Sequence, residues 1–134
     1  MGAQLAKPSL DAGMVTADAG RLVAFYRDVL GFEDLGTLSF PGIRVIHRLG
    51  CGGSVLRVVE PEEPPTRDAT GGPFLDVQGY RYLTLAVTNL VEVVEACRAA
   101  GGTVVVEPLE SRPGMLAAQV LDPDGNYIEL GQQD

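Results

Sequence analysis

One pattern of secondary-structure signals occurs twice along the chain, and this duplication limits the fold more than any other feature of the sequence. Each copy begins with a short apolar run, at residues 12–17 in the first copy and at residues 82–88 in the second. A helix signal and three further strand signals follow in each copy, with an offset of about seventy residues. The sequence therefore predicts an α+β fold built from two tandem βαβββ modules.

The predicted helix of each module starts at a polar residue and carries an apolar stripe at helical spacing. Asp18 is the expected N-cap of the first helix, near residues 18–30, and Gly31 is expected to end it. Asn89 is the expected N-cap of the second helix, near residues 89–100, with Glu92 three residues later as in a capping box. Both stripes indicate core packing rather than a cofactor site.

A stretch rich in Pro, Gly and acidic residues separates the two copies. We predict a single domain over residues 1–134, with modules at about 9–60 and about 80–131 and a linker loop at 61–79. Two curved four-stranded sheets lying side by side would form a concave mixed-sheet cavity with the helices outside. Such a concave, partly apolar face is where small molecules usually bind.

Charge and cysteine content exclude several classes of partner. The formal net charge is −8 and no basic stripe is visible, which argues against nucleic acid. No apolar run approaches membrane-spanning length, and the two cysteines, Cys51 and Cys97, are far apart without metal-type spacing. These features predict a cytoplasmic protein that does not bind membranes. The acidic balance suits a cationic ligand, although ordinary solubility explains it equally well.

Two motifs, "VAFYRDVLGFE" at residues 23–33 and "DPDGNYIEL" at residues 122–130, resemble the vicinal oxygen chelate superfamily. This superfamily includes glyoxalase I, extradiol dioxygenases, fosfomycin-resistance enzymes and bleomycin-resistance proteins. The resemblance extends from about Leu10 onward and implies the fold predicted above. It also implies a homodimer, in which Lys7 and Pro8 could act as a hinge for strand exchange. Because the superfamily hosts unrelated activities, function must be argued from the site.

The resemblance assigns four positions that hold a metal in metal-using relatives, which take His and Glu ligands from the first and last strands of each module. The first-strand positions lie seven residues before each helix N-cap and correspond to Asp11 and Tyr82, with Ala12 as the neighbouring choice in the first module. The last-strand positions correspond to Arg57 and Glu129.

These residue types predict that the metal is absent. Arg57 is permanently cationic and has no lone pair to give, and Tyr82 is a poor neutral ligand. The only histidine, His47, lies on a middle strand outside the implied ligand set. We therefore expect no metal and no cofactor. We expect Glu129 to be held by Arg57 instead, directly or through one water, since a guanidinium and a carboxylate can replace the metal as the polar centre.

The predicted ligand-binding residues combine these positions with nearby aromatic residues. Tyr127 shares a strand face with Glu129, and the linker aromatics Phe74 and Tyr80 could cover the cavity together with Leu75. The predicted set is Asp11, Arg57, Phe74, Tyr82, Tyr127 and Glu129.

Three functions remain open. The first is a metal-independent protein that binds a drug or natural product, resembling bleomycin-resistance proteins, and confers resistance by sequestration. The second is a lyase, isomerase or dioxygenase of the superfamily that keeps a metal through Asp11 and Glu129. The third is a metal-free enzyme with other acid–base chemistry. Missing ligands favour the first, and no nucleophile–base arrangement identifies a catalytic residue.

Structural readings stay open beside these functions. Arg57 and Glu129 could form a salt bridge without any ligand role, Tyr82 could be packing alone, and Asp11 could pair locally. His47 and Cys51 are assigned no role.

Overall fold

The computed structural model describes residues 2–69 and 73–134. The chain divides after residue 66 into two compact units, 1–66 and 67–134. Each unit contains one strand, one helix and three further strands in that order. The predicted α+β class with two βαβββ modules is therefore confirmed.

The first unit carries its helix between the first two strands. Helix α1 (Ala19–Ala24) continues as a π-helical turn (Phe25–Val29), so the predicted helix at 18–30 is present with a looser second half. Gly31, at φ 80°, follows the end of this segment as predicted. The strands of this unit are β1 (Ala12–Val15), β2 (Glu33–Phe40), β3 (Ile43–Cys51) and β4 (Ser54–Pro61).

The second unit repeats this arrangement. Helix α2 (Leu90–Ala99) lies within the predicted segment 89–100. The strands of this unit are β5 (Tyr82–Ala86), β6 (Thr103–Arg112), β7 (Met115–Leu121) and β8 (Tyr127–Gln133). No helix in the described ranges is long and apolar enough to cross a membrane.

Each unit forms one four-stranded mixed sheet with the same strand order. The orders are β1-β4-β3-β2 and β5-β8-β7-β6, and only the first pair in each sheet is parallel. The registers also correspond, because Gly13 pairs with Arg57 in the first sheet and Thr84 pairs with Glu129 in the second. Arg57 and Glu129 thus occupy equivalent positions in their own sheets.

The core of each unit lies between its helix and one face of its sheet. In the second unit Leu90, Val94 and Cys97 of α2 are fully buried, as are Ile128 and Leu130 of β8. Strand pleating directs the alternate residues of β8 to the other face, which the helix leaves uncovered. The residues available for a ligand therefore lie on that uncovered face.

The first helix is capped as the sequence predicts, whereas the second helix is capped by a different residue. Asp18 accepts a hydrogen bond from the Arg21 backbone N–H at 3.1 Å, which confirms the first N-cap. The capping box expected in the second helix is wrong, because the Asn89 side chain donates to Glu92 and makes no cap hydrogen bond. The Leu90 backbone N–H instead donates to the side-chain oxygen of Gln132 in β8, at 2.7 Å.

Candidate functional site

The uncovered face of the second sheet carries aromatic rings beside a carboxylate. It is formed by Tyr82 and Thr84 of β5, Gln119 of β7, and Tyr127 and Glu129 of β8, and is called here the aromatic–acidic face. Tyr82 is 52% exposed and Thr84 is also exposed, while Gln119, Tyr127 and Glu129 are half-buried. An exposed tyrosine on the edge strand β5 offers a flat apolar surface with a polar tip, which suits ligand contact.

Strand register arranges this face in two rows. Tyr82 lies opposite Tyr127, while Glu129 lies between its register partners Thr84 and Gln119. Side chains opposite each other on one face are neighbours, and the rows are separated by two residues, or about 7 Å along a strand. The aromatic row and the polar row are therefore close enough to contact one small molecule together.

Phe74 extends the aromatic row. Its ring centroid lies 4.8 Å from that of Tyr127 and 5.5 Å from that of Tyr82. Arg81 holds the segment around Phe74, because its Nε donates to the Phe74 carbonyl oxygen at 3.0 Å. The Arg81 guanidinium carbon also lies 5.4 Å from the Tyr127 ring centroid and 5.7 Å from that of Phe74. The Arg81 cation thus already makes cation–π contacts with these two rings.

A closed turn fixes the start of β8. The Asp122 carboxylate is buried and accepts hydrogen bonds from the backbone N–H groups of Asp124 and Asn126, each at 2.9 Å. It also accepts one from the Asn126 side chain at 2.9 Å, and Gly125 takes a φ of 87°. The conspicuous motif at residues 122–130 therefore uses its first carboxylate to hold the turn, which orients Tyr127.

The equivalent positions of the first unit carry charges of both signs. The Asp11 carboxylate accepts a hydrogen bond from Lys7 Nζ at 2.7 Å and pairs with Arg57 Nη1 at 3.4 Å. It also accepts the Val55 backbone N–H at 2.9 Å, while Lys7 Nζ donates to the Gly53 carbonyl oxygen at 3.2 Å. Asp11 therefore fastens the segment before β1 to β4.

These contacts change the acidity of Asp11. The hydrogen bond from Lys7 and the backbone N–H of Val55 lower the pKa of the Asp11 carboxyl from 3.8 to about 2. Arg57 contributes in the same direction but less. The carboxylate is therefore ionised and occupied by protein donors at neutral pH.

The donor set does not fit a divalent metal. Arg57 has no lone pair to offer, and its charge would repel a cation at the position equivalent to Glu129. Asp11 is already engaged by two cationic side chains. Within residues 2–69 and 73–134 no group of three or more His, Cys, Asp or Glu side chains has the geometry to hold a metal ion.

The structure brings part of the predicted site together within each unit. The Phe74 ring contacts the rings of both Tyr82 and Tyr127, and Glu129 lies on the same sheet face as the two tyrosines. Asp11 and Arg57 form a local pair in the first unit. The pairing of Arg57 with Glu129, which belong to different units, stays a prediction.

Sequence reasoning missed the residues that support these groups. The sequence assigns no role to Arg81 and only a hinge role to Lys7, although each makes the contacts that fix its neighbours. The charge of these two residues does not predict their contacts, because only the strand register and the path of the preceding segment bring them to the site. Among the linker residues, Leu75 is 88% exposed and Tyr80 is fully exposed, so Phe74 is the one packed on the aromatic row.

The histidine and the cysteines lie apart from these groups. His47 pairs in register with Val58 of β4, on the opposite face from Arg57. Cys51 is exposed at the end of β3, and burial raises the pKa of the Cys97 thiol in α2.

The sequence matches the family described as the Glyoxalase/Bleomycin resistance protein/Dioxygenase superfamily over residues 10–130. Among curated proteins no match to the sequence was found.

Solved structures with the same fold include proteins from plants, bacteria and protozoa. Glyoxalase I from Zea mays has a TM-score of 0.78 at 21% identity over 92% of this chain, which spans only 44% of the maize chain. A glyoxalase family protein from Bacillus cereus has a TM-score of 0.82 at 17% identity, covering 97% of this chain and 99% of its own. The trypanothione-dependent glyoxalase I from Leishmania major has a TM-score of 0.73 at 24% identity, covering 93% and 86% respectively. At these identities the likeness supports the fold alone.

Proposed function

Because the chain belongs to the Glyoxalase/Bleomycin resistance protein/Dioxygenase superfamily, we propose that it is a small-molecule-binding protein that works without a metal ion. The observation that carries this proposal is the arginine at position 57. Arg57 stands at the strand position equivalent to Glu129. It forms an ion pair with Asp11 and does not have the chemistry to coordinate a metal ion. A permanent cation without a lone pair cannot act as a metal ligand at that position.

The aromatic–acidic face supports a ligand with a flat apolar ring and a positive charge. Tyr82 and Tyr127 offer ring surfaces, and Glu129 lies one row away on the same face. Aromatic contact contributes through area and ring geometry, while a carboxylate selects a cation over a neutral isostere. The guanidinium of Arg81 against the Tyr127 ring supports the capacity of this face for cation–π contact.

In this function the protein sequesters its ligand in a one-to-one complex and leaves it chemically unchanged. A drug or natural product of cationic aromatic character fits the proposal, and resistance by sequestration would follow from tight binding. No catalytic residue is assigned, since Glu129 stands beside Thr84 and Gln119 rather than beside a histidine or a second acid.

The test is a thermal-shift screen of cationic aromatic compounds in the presence of a chelator, followed by calorimetric titration of each hit. We expect stabilisation that grows with ligand concentration, as mass action requires for a ligand that binds the native state. Glu129→Gln should weaken binding by about ten- to a hundredfold, because one charge-assisted interaction is worth about 1.5–3 kcal/mol.

Glu110→Gln is the matched control. Glu110 in β6 is the register partner of Leu116, which in turn pairs with Gln132. Glu110 therefore lies on the opposite face of the sheet from Glu129. The Glu110→Gln substitution removes the same charge as Glu129→Gln and should leave ligand binding unchanged. Equal effects of the two substitutions, or hits that bind only after a divalent metal is restored, would contradict the proposal and favour a metal-dependent enzyme of the superfamily.

We also propose that the protein is a cytoplasmic homodimer, as the family resemblance implies. Sedimentation equilibrium at micromolar concentration tests the dimer directly. A mass of twice 14.2 kDa is the expected result, and a monomer at all concentrations would contradict it.

A further inference from the structure

The uncovered face of the first sheet brings two arginines together. Arg48 of β3 is the register partner of Arg57 of β4, and both side chains leave the same face. Like charges directly opposite each other on adjacent strands are destabilising unless something compensates them. The pair therefore calls for negative charge at this face.

The carboxylate beside this pair compensates it only in part. Asp11 pairs with Arg57 at 3.4 Å, but its shorter contact, 2.7 Å, is with Lys7. One carboxylate thus pairs with two cations, and within the described part of the chain it makes no ion pair with the third, Arg48. Glu33 lies opposite Gly50 at the end of the sheet and forms no ion pair with Arg48 among the described residues.

Arg48 is itself incompletely satisfied. Its Nη2 donates to the Leu35 carbonyl oxygen at 2.7 Å, in the irregular part of β2. Its Nε is buried, and no hydrogen-bond partner for it exists in the parts of the chain described. A guanidinium carries five N–H donors in a planar fork that matches carboxylate and phosphate oxygens. The Arg57 side chain, 42% exposed, offers a second fork to solvent.

The local charge is opposite to that of the whole chain. Lys7 and Arg57 both pair with the Asp11 carboxylate and Arg48 lies opposite Arg57 on the same sheet face, whereas the formal net charge of the protein is −8. A cluster of three cations that persists in an acidic protein would attract a small anion and repel the cationic ligands favoured by the other sheet.

We propose that Arg57 and Arg48, supported by Lys7, form a binding site for a small oxyanion, a carboxylate or phosphate group. The site lies entirely in the first unit. The site uses no residue of the aromatic–acidic face, although Arg57 enters both proposals: there its charge argues against a metal, and here its guanidinium binds the anion.

The test follows the arginine Nε–Hε signals by NMR during titration with inorganic phosphate, and separately with acetate, at constant ionic strength against chloride. We expect the Arg57 and Arg48 signals to shift together and to saturate with either phosphate or acetate. The stronger of the two probes identifies the source of the oxyanion. Shifts that grow linearly without saturation, or that match those of all other arginines, would overturn the proposal.

Three variants separate recognition from general charge. Arg57→Gln should weaken binding of the stronger probe by about tenfold, while Arg112→Gln, which removes an exposed arginine from the second unit, should not. Arg57→Lys keeps the charge but loses the fork, so it should weaken binding too.

Asp11→Asn gives an expectation of opposite sign. Removing the competing carboxylate frees the Arg57 guanidinium, so oxyanion affinity should rise. A purely structural role of the arginines predicts no gain. Unchanged or weaker affinity in folded Asp11→Asn, like unchanged affinity in Arg57→Gln and Arg57→Lys, would contradict the proposed site.

Discussion

Glu60 in β4 and Gln132 in β8 occupy equivalent positions of the two units, and each accepts a hydrogen bond from the first backbone amide of the helix in its own unit. The Ala19 N–H donates to Glu60 Oε1 at 2.9 Å, and the Leu90 N–H donates to Gln132 Oε1 at 2.7 Å. The first amides of a helix have no partner within it, so a side chain from a neighbouring strand satisfies them. Each last strand thereby fixes the helix that covers its own sheet.

The cap from β8 should contribute measurably to stability. Gln132→Ala leaves the Leu90 N–H without its acceptor, and we expect a loss of about 1 kcal/mol in the free energy of unfolding. Urea denaturation measures it. Gln133→Ala, at the exposed next position, is the control and should change stability little. Equal losses in the two variants would show that the hydrogen bond has no special weight.

The cap in the first unit predicts a graded result. Glu60 also pairs with Arg44, whose Nε lies 3.2 Å from Oε2, but the Arg44 side chain is 65% exposed. Glu60→Gln keeps an acceptor for Ala19 and loses only this exposed ion pair, so it should cost less than about 0.5 kcal/mol. Glu60→Ala loses the cap as well and should cost about 1 kcal/mol. Identical losses in the same urea experiment would mean that charge, rather than the cap, is the stabilising feature.

The fold was predictable because the duplication is written in local signals. Alternating apolar runs, helical stripes and terminal glycines act over a few residues, and Gly31 ends the first helical segment as its position predicts. The caps by Glu60 and Gln132 join residues about 40 positions apart in sequence, so no local pattern reveals them. The same reason explains the failure of the capping box at Asn89, where the better acceptor came from β8.

The low pKa of Asp11 predicts a loss of stability in acid. The folded carboxyl titrates at about 2 and the ordinary value is 3.8, so between these values the unfolded chain binds a proton that the folded chain does not. The contribution of Asp11 is therefore complete above about pH 4 and disappears as pH falls through about 2. Stability of wild type relative to Asp11→Asn should fall over this window, as measured by urea denaturation at several pH values.

Lys7→Gln separates the causes of this shift. Because the Lys7 hydrogen bond is the largest of them, its removal should raise the Asp11 pKa toward the ordinary value, while Val55 and Arg57 keep part of the shift. NMR titration of the Asp11 carboxyl carbon follows this directly. An unchanged titration midpoint would show that Lys7 does not hold the carboxylate in solution.

The predicted Arg57–Glu129 pair has its own test. A double-mutant cycle with Arg57→Ala and Glu129→Ala should give a coupling of about 0.5 kcal/mol or more in the free energy of unfolding if the pair forms. The parallel cycle of Arg57 with Asp11 calibrates the size expected for a half-exposed pair. If Arg57 couples only to Asp11, the Arg57–Glu129 pair does not form, and Glu129 is free to contact a ligand.

The site was only partly predictable from the sequence. The resemblance and the repeat spacing brought out Tyr82, Glu129 and Arg57, since equivalent strand positions follow from counting along each module. The contacts of Lys7 with Asp11, and of Arg81 with the aromatic rings, depend on how each preceding segment returns to its sheet. Such geometry has no short-range sequence signal, so it had to come from the structure.

One calorimetric titration, done with and without a metal, decides whether the protein binds its ligand independently of a metal ion. The strongest hit among cationic aromatic compounds is titrated into protein treated with a chelator, and then into the same protein supplied with Zn²⁺, Ni²⁺ or Mn²⁺. We predict the same affinity and a stoichiometry of one ligand per chain in both, because Arg57 leaves no suitable donor set for a metal and the proposed contact of the ligand with Glu129 needs none. Binding that vanishes with the chelator and returns with a metal would show that the ligand site depends on a metal ion.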